Sequence, residues 1–336
     1  MVRPRDAALA LLVLAGCSSS STKHVTLDEG GGGAAGEGPS PGAIVTVATD
    51  LGSLEGSLLV PAGGAPVPVV LILSGSGPQD RDGNTPGESA RTDVYRLLAE
   101  GLLAQGLASL RFDDPGVGKS ASALPASEAD VTYPLEVAAV QRWIPFLKSD
   151  PRFSRVVLAG HSEGALTATL LAEAGTTAAM VSLAGAGRPI DVILREQLAP
   201  QLTAEQLVTL DAALAKLKQG ALPGPLPPPF DQLLRPSVQP YLASWIAYDP
   251  SAEVGKVKVP AFIIQGRTDV QVSVEDAMLL AAGKPDAKTL FVDDMGHVLK
   301  QATIKSANAQ SAQYSDPSIP LHPALVPAIA GFVAAL

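Results

Sequence analysis

One short stretch, residues 156–165, constrains the fold of this chain more than any other. It reads Val-Val-Leu-Ala-Gly-His-Ser-Glu-Gly-Ala, so an apolar run that begins with two β-branched residues leads directly into Gly-x-Ser-x-Gly. An apolar helical pattern follows over residues 165–174. A strand, a sharp turn and a helix in this order expose a serine hydroxyl, and the two glycines let the backbone pass close to its neighbours. The stretch predicts a nucleophilic Ser162; a chance match in a chain rich in Gly, Ala and Ser is the alternative.

The other apolar patterns predict a mostly parallel sheet flanked by helices, which is an α/β fold. The run Val67–Leu73 is continuously apolar, as is typical of a strand covered on both faces. Residues 44–60 contain two strand patterns around a turn and predict an opening hairpin. Further strands are expected at Ala108–Phe112, 180–184, 259–265 and Lys288–Val292, and helices at 94–105, 133–147 and 324–336.

Length and charge narrow the function classes. The 336 residues suffice for one large domain with an insertion or for two modest domains. The hydrophobic content of 46% indicates a globular chain with a substantial core, and the formal net charge of −9 gives no basic surface for nucleic acid. Nucleic-acid binding is therefore not expected.

The first 42 residues predict a lipid anchor and a tether. Arg3 and Arg5 precede an apolar run that is too short to span a bilayer, and the run ends in Leu-Ala-Gly-Cys. This tetrapeptide resembles the lipobox of bacterial lipoproteins, which implies a signal peptide at 1–16 and an acylated Cys17. Ser18 in the next position favours the outer membrane, on its periplasmic face or at the cell surface. Residues 17–42 are of low complexity and are expected to be a flexible tether before a domain at 43–336. An ordinary signal peptide is the alternative.

A serine nucleophile needs a histidine base within hydrogen-bond reach. The chain has four histidines. His24 lies in the low-complexity segment, His161 adjoins the nucleophile and is expected to point away from it, and His322 is confined between a leucine and a proline. His297 follows the last expected strand in a glycine-containing loop, so we predict that it is the base.

The base in turn needs an acid that fixes its tautomer. Asp269 ends the preceding expected strand and is the predicted acid. Asp276, Asp293 and Asp294 compete for this role, but they lie on a helix face or directly beside His297.

From about residue 44 onward the chain resembles an α/β-hydrolase. The chain order Ser162, Asp269, His297 is that of this fold rather than of chymotrypsin or subtilisin. The loop Ser-Gly-Ser-Gly-Pro-Gln-Asp-Arg-Asp-Gly at 74–83, together with Gly-His-Ser-Glu-Gly at 160–164, is similar to a bacterial group of dienelactone-hydrolase-like and serine-aminopeptidase-like esterases. That resemblance implies hydrolysis of carboxylic esters of small molecules, with no metal or organic cofactor.

The resemblance also assigns the glycine-rich loop a role. In this fold the loop after the third strand supplies one N–H group of the oxyanion hole, and the residue after the nucleophile supplies the other. These positions are Ser76 and Glu163, while Ser74 stands where histidine is commoner. A plain surface turn is the alternative for the loop. The Gly-Lys-Ser at 118–120 is no P-loop, because the first glycine of that motif would fall on Asp113.

Residues 188–250 are predicted to be a helical lid inserted into the domain. Amphipathic helical patterns cover 191–219 and 230–247, and the segment contains Trp245 and Tyr248 in a chain with only 4% aromatics. Additional core packing is the alternative to a lid that sets substrate preference.

The predicted function is therefore a serine hydrolase that cleaves carboxylic esters through an acyl-enzyme. A peptidase or thioesterase using the same residues remains open, because fold alone does not choose among them. A lipid-anchored binding protein that retains the fold without the reaction is the rival outside enzymes.

Overall fold

Eight strands form one sheet in the described part of the chain, which is residues 42–86, 88 and 91–336 of a computed structural model. In chain order they are β1 (Ala43–Ala48), β2 (Ser53–Leu59), β3 (Val67–Leu73), β4 (Ala108–Phe112), β5 (Phe153–His161), β6 (Ala179–Leu183), β7 (Ala261–Gly266) and β8 (Lys288–Val292). The order across the sheet is β1-β2-β4-β3-β5-β6-β7-β8. β2 pairs antiparallel with β1 and with β4, and the remaining pairs are parallel. The predicted hairpin and mostly parallel sheet are confirmed.

Helices cover both faces of this sheet. Within the described residues the α-helices are α1 (Val94–Ala104), α2 (Tyr133–Gln141), α3 (Trp143–Ser149), α4 (Glu163–Glu173), α5 (Ile190–Leu198), α6 (Ala204–Lys218), α7 (Phe230–Leu233), α8 (Gln239–Ile246), α9 (Pro250–Val254), α10 (Val274–Gly283), α11 (Ala307–Gln310) and α12 (Leu325–Ala334). Short 3₁₀ turns lie at Gly118–Ala123, Glu128–Asp130, Ala199–Gln201 and Ser311–Tyr314. α1 and α12 pack on one face, and α3 and α4 pack on the other.

Two hydrophobic cores result, because successive residues of a strand point to opposite faces. In β3, Val70 and Ile72 join the core beneath α1 and α12. Their neighbours Leu71 and Leu73 join the core beneath α3 and α4. A strand that serves both cores must be apolar at every position, which explains the continuous run in the sequence.

The predicted helix at 133–147 is wrong in its continuity: the structure has α2 and α3 instead. Pro145 supplies the physical reason. Proline has no N–H group, and its ring clashes with the carbonyl four residues earlier, which here belongs to Gln141. α2 ends at Gln141, and α3 begins at Trp143 with the proline in its first turn, where the missing N–H does no harm.

The inserted segment 188–250 contains four helices, α5 to α8, where the sequence predicted two long ones. Pro200 lies between α5 and α6, and Pro236 lies between α7 and α8, so each long pattern is interrupted. α6 restarts with a capping box formed by Thr203 and Gln206. The apolar sides of these helices pack together and onto Leu166 of α4.

The parallel pairing brings the functional loops to one edge of the sheet. Leu73 pairs with Gly160, and Gly266 pairs with Val292, so the loops after β3, β5, β7 and β8 all leave from the carboxyl ends of their strands. Ligand sites of open α/β sheets lie at this edge.

The predicted signal peptide, Cys17 and the tether up to residue 41 lie outside the described residues. Across the residues that are described, no helix combines the length and the hydropathy needed to cross a bilayer.

Candidate active site

Ser162 lies at a strained turn between β5 and α4. Its backbone has φ 54° and ψ −118°, a conformation that costs a non-glycine residue on the order of 1–3 kcal/mol and that is concentrated at functional sites. The flanking glycines are required by close approach. A Cβ on Gly160 would lie 1.9 Å from the carbonyl oxygen of Gly164, and a Cβ on Gly164 would lie 2.3 Å from the carbonyl oxygen of Ser74. The sequence motif therefore forms the sharp strand-to-helix turn that it predicted.

The structure brings Ser162, His297 and Asp269 into one hydrogen-bonded chain. Nε2 of His297 is 3.1 Å from Oγ of Ser162, and Nδ1 of His297 is 2.9 Å from Oδ2 of Asp269. His297 and Asp269 are buried, so water does not compete strongly for these bonds. With its proton at Nδ1, the imidazole has a free lone pair at Nε2 that can accept the serine proton.

Asp269 is held as an acceptor by donors on both of its oxygens. The backbone N–H groups of Gln271 and Val272 donate to Oδ1 at 2.8 and 3.0 Å. The side-chain amide of Gln265 donates to Oδ2 at 3.1 Å, beside the bond from His297. These bonds fix the orientation of the carboxylate and, through it, the tautomer of the imidazole.

The competing carboxylates lie elsewhere. Asp276 lies in the first turn of α10, where it accepts from the N–H of the N-cap Ser273, and it also accepts a bidentate pair of bonds from Arg188. Asp293 is exposed and pairs with Arg267. Asp294 is exposed in the turn before His297. Of the four candidates, only Asp269 hydrogen-bonds to the imidazole.

Two backbone N–H groups near Ser162 are available for an anion. Within the described chain, neither the N–H of Ser76 nor that of Glu163 has a hydrogen-bond acceptor. The loop that carries Ser76 is braced, because the hydroxyl of Ser74 donates to Asp114 and the N–H of Gln79 donates to the same carboxylate at 2.9 Å. Ser74 thus anchors the glycine-rich loop to the turn after β4. The loop is more than a surface turn.

His161 has a role that the sequence did not reveal. Its ring does not hydrogen-bond to Ser162, as expected, but its Nε2 lies 2.8 Å from the carbonyl oxygen of His297. Because a carbonyl only accepts, Nε2 carries the proton and Nδ1 accepts from the hydroxyl of Tyr95 at 3.0 Å. The Tyr95 oxygen accepts in turn from the N–H of Gly75 at 2.7 Å. This buried network joins the glycine-rich loop, the nucleophile strand and the loop of the predicted base.

Burial keeps His161 neutral, although its hydrogen bond to the carbonyl of His297 favours the protonated ring. Burial, and next the positive charge that His297 can carry, lower the pKa of His161 to about 3. A neutral ring does not repel a protonated His297, whose ring centroid is 5.0 Å away. The only signal in the sequence was the position of His161 inside the Gly-x-Ser-x-Gly motif.

A second unexpected group surrounds the side chain of Glu163. The hydroxyl of Tyr241 on α8 contacts a carboxyl oxygen of Glu163 and one of Glu136, the latter at 3.1 Å. A phenol has one proton and can donate to one carboxylate, so the other contact is a hydrogen bond only when that carboxyl is itself protonated. Burial raises the pKa of Glu163 to about 8 and that of Glu136 to about 7. The group therefore retains a proton near neutral pH.

These residues border a large cavity of about 570 Å³ beside the nucleophile turn. Its wall includes Ser76, Glu163 and, from the inserted segment, Tyr241 and Trp245. A volume of this size is in the usual range for a small-molecule site.

Comparison with known proteins identifies the family. The model of the alpha/beta hydrolase family matches residues 70–299, which is more than half of the chain. This protein therefore belongs to the alpha/beta hydrolase family. Its eight-stranded, mostly parallel sheet flanked by helices confirms the α/β-hydrolase fold predicted from the sequence.

Curated and solved relatives include several esterases. Esterase EstD of Thermotoga maritima is 27% identical over 261 residues, which cover 75% of this chain and 60% of that protein. The structure is similar to the Pyrococcus furiosus esterase Pf2001, with a TM-score of 0.51 and 17% identity over 87% of this chain and 92% of that one. It is also similar to Est1E of Butyrivibrio proteoclasticus, with a TM-score of 0.52 and 15% identity over 87% and 99% of the two chains. At these identities the solved structures establish the fold.

Proposed function

We propose that this protein is a serine esterase with Ser162 as nucleophile, His297 as base and Asp269 as the acid that orients it. The continuous hydrogen-bonded chain from Oγ of Ser162 through His297 to Asp269 carries the proposal. The strained backbone of Ser162 supports it, since such strain is concentrated at functional sites.

In the first half-reaction, Oγ of Ser162 attacks the ester carbonyl carbon while Nε2 of His297 takes the hydroxyl proton. The carbonyl π electrons move to the oxygen, and the N–H groups of Ser76 and Glu163 stabilise that oxyanion. When the tetrahedral intermediate collapses, the C–O bond to the alcohol breaks and His297 returns the proton to the departing oxygen. Asp269 stabilises the imidazolium throughout.

The second half-reaction repeats these steps with water. His297 removes a proton from the water as its oxygen attacks the acyl-enzyme, and the bond to Ser162 then breaks. The serine recovers its proton, and the carboxylic acid leaves. Every step is a proton or acyl transfer among this chain's own residues, the substrate and water.

Ester substrates are favoured over thioesters and peptides by the relatives. EstD, Pf2001 and Est1E are all named as esterases, and EstD is a relative at 27% identity. This chain spans 60% of the length of EstD, so the ester preference is part of our proposal. The narrower similarity to dienelactone-hydrolase-like and serine-aminopeptidase-like esterases stays a prediction.

The inserted helices α5 to α8 are proposed to act as a lid that sets substrate preference. Tyr241 and Trp245 of α8 form part of the large cavity's wall, which supports this role. We expect Trp245→Ala to change the ranking of p-nitrophenyl esters by acyl length. An unchanged ranking at unchanged thermal stability would mean that the segment is additional core.

Fluorophosphonate labelling provides the direct test. We expect one mole of label per mole of protein, located on Ser162 by peptide mass spectrometry, and hydrolysis of p-nitrophenyl esters by the same sample. Ser162→Ala should abolish the labelling and lower the rate of hydrolysis on the order of 10⁶-fold. Labelling at another residue, or normal turnover by the alanine variant, would refute the proposed function.

We further propose that Cys17 is acylated and holds the enzyme at the cell envelope, on the periplasmic face of the outer membrane or at the cell surface. The Leu-Ala-Gly-Cys sequence and the absence of any other cysteine support this. Firm anchoring needs more than one acyl chain, because a single chain binds membranes only marginally. Cys17→Ser is expected to leave the precursor unprocessed or to release it from membranes. A variant that fractionates with membranes at the normal mature mass would contradict the anchor.

A further inference from the structure

Two cavities of very different size lie beside the predicted nucleophile, Ser162, and share part of their walls. The large one measures about 570 Å³, and the small one, which Ser162 itself borders, measures about 40 Å³. Ser76, Glu163 and Trp245 belong to the walls of both. The two residues whose N–H groups would hold the ester oxygen therefore border both cavities, at the junction where the walls are shared.

An ester has two substituents, one on each side of the group that reacts. With the carbonyl at the junction, one substituent must extend into each cavity. On the same measure of volume a water molecule needs on the order of 10–15 Å³, so the small cavity accepts a group the size of a methyl or ethyl. The large cavity accepts a substituent of drug-like size.

The wall of the small cavity cannot yield easily. Leu166 of α4 and Ile190 and Ile193 of α5 line it, and all three are buried in the cluster that holds the inserted helices together. Arg188 on the same wall is fixed by a bidentate ion pair with Asp276. Enlarging this cavity would require packed side chains to move, which is costly.

The wall of the large cavity is acidic. Among the described residues that line it there are four carboxyl side chains, Asp114, Glu128, Glu136 and Glu163, and no lysine, arginine or histidine. Glu128 is neutralised by its pair with Arg235. The other three have hydroxyl and amide partners but no cation, and burial raises the pKa of each. A further acid placed there would add negative charge to a wall that already retains protons in place of charge.

We infer that the substrate is an ester with one small and one large substituent, and that the large substituent carries no acidic group. This inference rests on the proposed esterase function and concerns the same site. It does not assign the acid and the alcohol to particular cavities, because either arrangement places one large group and one small group.

Three neutral esters test the inference that the substrate has one small and one large substituent, which we call the size rule. Methyl 3-phenylpropanoate and 2-phenylethyl acetate each carry one small and one large group, and 2-phenylethyl 3-phenylpropanoate carries two large groups. With kcat/KM measured by titration of the released acid, we expect the third ester to react at least about 100-fold less efficiently than the better of the first two. A deficit below about 10-fold would overturn the size rule.

Two variants at neighbouring positions of α5 test whether the small cavity causes the low efficiency of the third ester. Ile193→Ala enlarges the small cavity and is expected to narrow the deficit of the third ester. Leu194→Ala is the matched control, because Leu194 is buried on the same helix but lines neither cavity. Equal effects of the two variants on the ratio would show that general loosening, and not the small cavity, sets the preference.

A substrate with a carboxylate on its large substituent tests the inference that this substituent carries no acidic group. Methyl 3-(4-carboxyphenyl)propanoate is expected to show a kcat/KM at least about 10-fold below that of methyl 3-phenylpropanoate, and Glu136→Gln should narrow this difference. Glu205→Gln is the matched control, because it makes the same side-chain change on the exposed side of α6, and it should leave the difference between the two methyl esters unchanged. Equal efficiency for the two methyl esters in the parent enzyme would overturn the acid rule.

Failure of this inference is distinguishable from failure of the proposed function. An enzyme that labels at Ser162 and hydrolyses all of these esters alike refutes the inference alone. A protein that neither labels nor hydrolyses any of them refutes the function.

Discussion

The carboxylate of Asp269 and the carboxyl pair of Glu136 and Glu163 differ in the number of hydrogen-bond donors that they have. Asp269 accepts from the N–H groups of Gln271, Val272, Gln265 and His297. Glu136 and Glu163 share the single hydroxyl proton of Tyr241.

The difference separates a carboxylate that is held in one orientation from a pair of carboxyls that titrate near neutral pH. Four donors stabilise a carboxylate and hold it in one orientation, which suits a residue that must stabilise an imidazolium. Two partly buried carboxyls that share one donor lack a second donor, and a bound proton can take its place. The backbone of Glu163 follows Ser162 in the strand-to-helix turn, while its side chain shares the hydroxyl of Tyr241 with Glu136.

The largest effect on kcat is expected from substitutions in the hydrogen-bonded chain that contains Asp269. Ser162→Ala or His297→Ala alone is expected to lower kcat on the order of 10⁶-fold, about as much as removing all three residues, because they act as one proton-transfer unit. Asp269→Asn should cost about 10⁴-fold, since the aspartate orients the imidazole without moving the proton. Every variant should still hydrolyse the ester faster than the uncatalysed reaction in water, because the N–H groups of Ser76 and Glu163 remain.

Ester turnover by the three single variants and the triple variant checks this. Multiplicative losses would contradict a shared unit. A silent Asp269→Asn beside an inactive Asp293→Asn or Asp294→Asn would mean that the acid is misassigned while the fold stands.

An intermediate effect is expected from Tyr95→Phe. Loss of the hydroxyl leaves the N–H of Gly75 and Nδ1 of His161 without partners and frees the glycine-rich loop relative to His297. Displacement of reacting groups by less than 1 Å can cost up to about 100-fold, so we expect kcat to fall about 10- to 100-fold with KM little changed.

Turnover per labelled active site separates positioning from stability. A purely structural loss would reduce the number of sites that label but not the rate per site. Thr169→Val is the matched control, because it also removes a buried hydroxyl, which bonds to the carbonyl of Ala165 away from the triad. Equal rates per site in Tyr95→Phe and Thr169→Val would exclude a positioning role.

The smallest expected effect is on stability and comes from the pair Glu136 and Glu163. The pKa values of Glu136 and Glu163 are raised from an ordinary 4.5 to about 7 and about 8. The folded state therefore binds protons that the unfolded state has released. This contribution to stability is fully present below pH 4.5 and is lost as pH rises through 7 and 8.

Urea denaturation at pH 5, 7 and 9 measures this loss as a fall in the free energy of unfolding. The double variant Glu136→Gln/Glu163→Gln should flatten the decline between pH 5 and 9, whereas the exposed Glu205→Gln should not. A decline of the same size in the double variant would show that other groups cause it.

The turn at Ser162 and the meeting of Ser162, Asp269 and His297 could be predicted from the sequence, because local backbone geometry and the chain order determine them. A strand that enters Gly-x-Ser-x-Gly and leaves as a helix has few conformations, and Gly160 and Gly164 are the residues that its close contacts allow. The order of Ser162, Asp269 and His297 along a parallel sheet then brings their loops to one edge. Helix breaks at Pro145, Pro200 and Pro236 could also have been predicted, since proline acts on the four residues before it.

Only the tertiary structure decided what surrounds these residues. Tyr95 and His161 are 66 positions apart, and Tyr241 is 78 positions from Glu163 and 105 from Glu136. Such contacts depend on how helices from different parts of the chain pack over the sheet, and a pattern of 3.6 or 2 residues contains no record of that packing. Ten consecutive residues determine the strand-to-helix turn that carries Ser162, whereas the shape and the charge of the cavities beside it are properties of the whole fold.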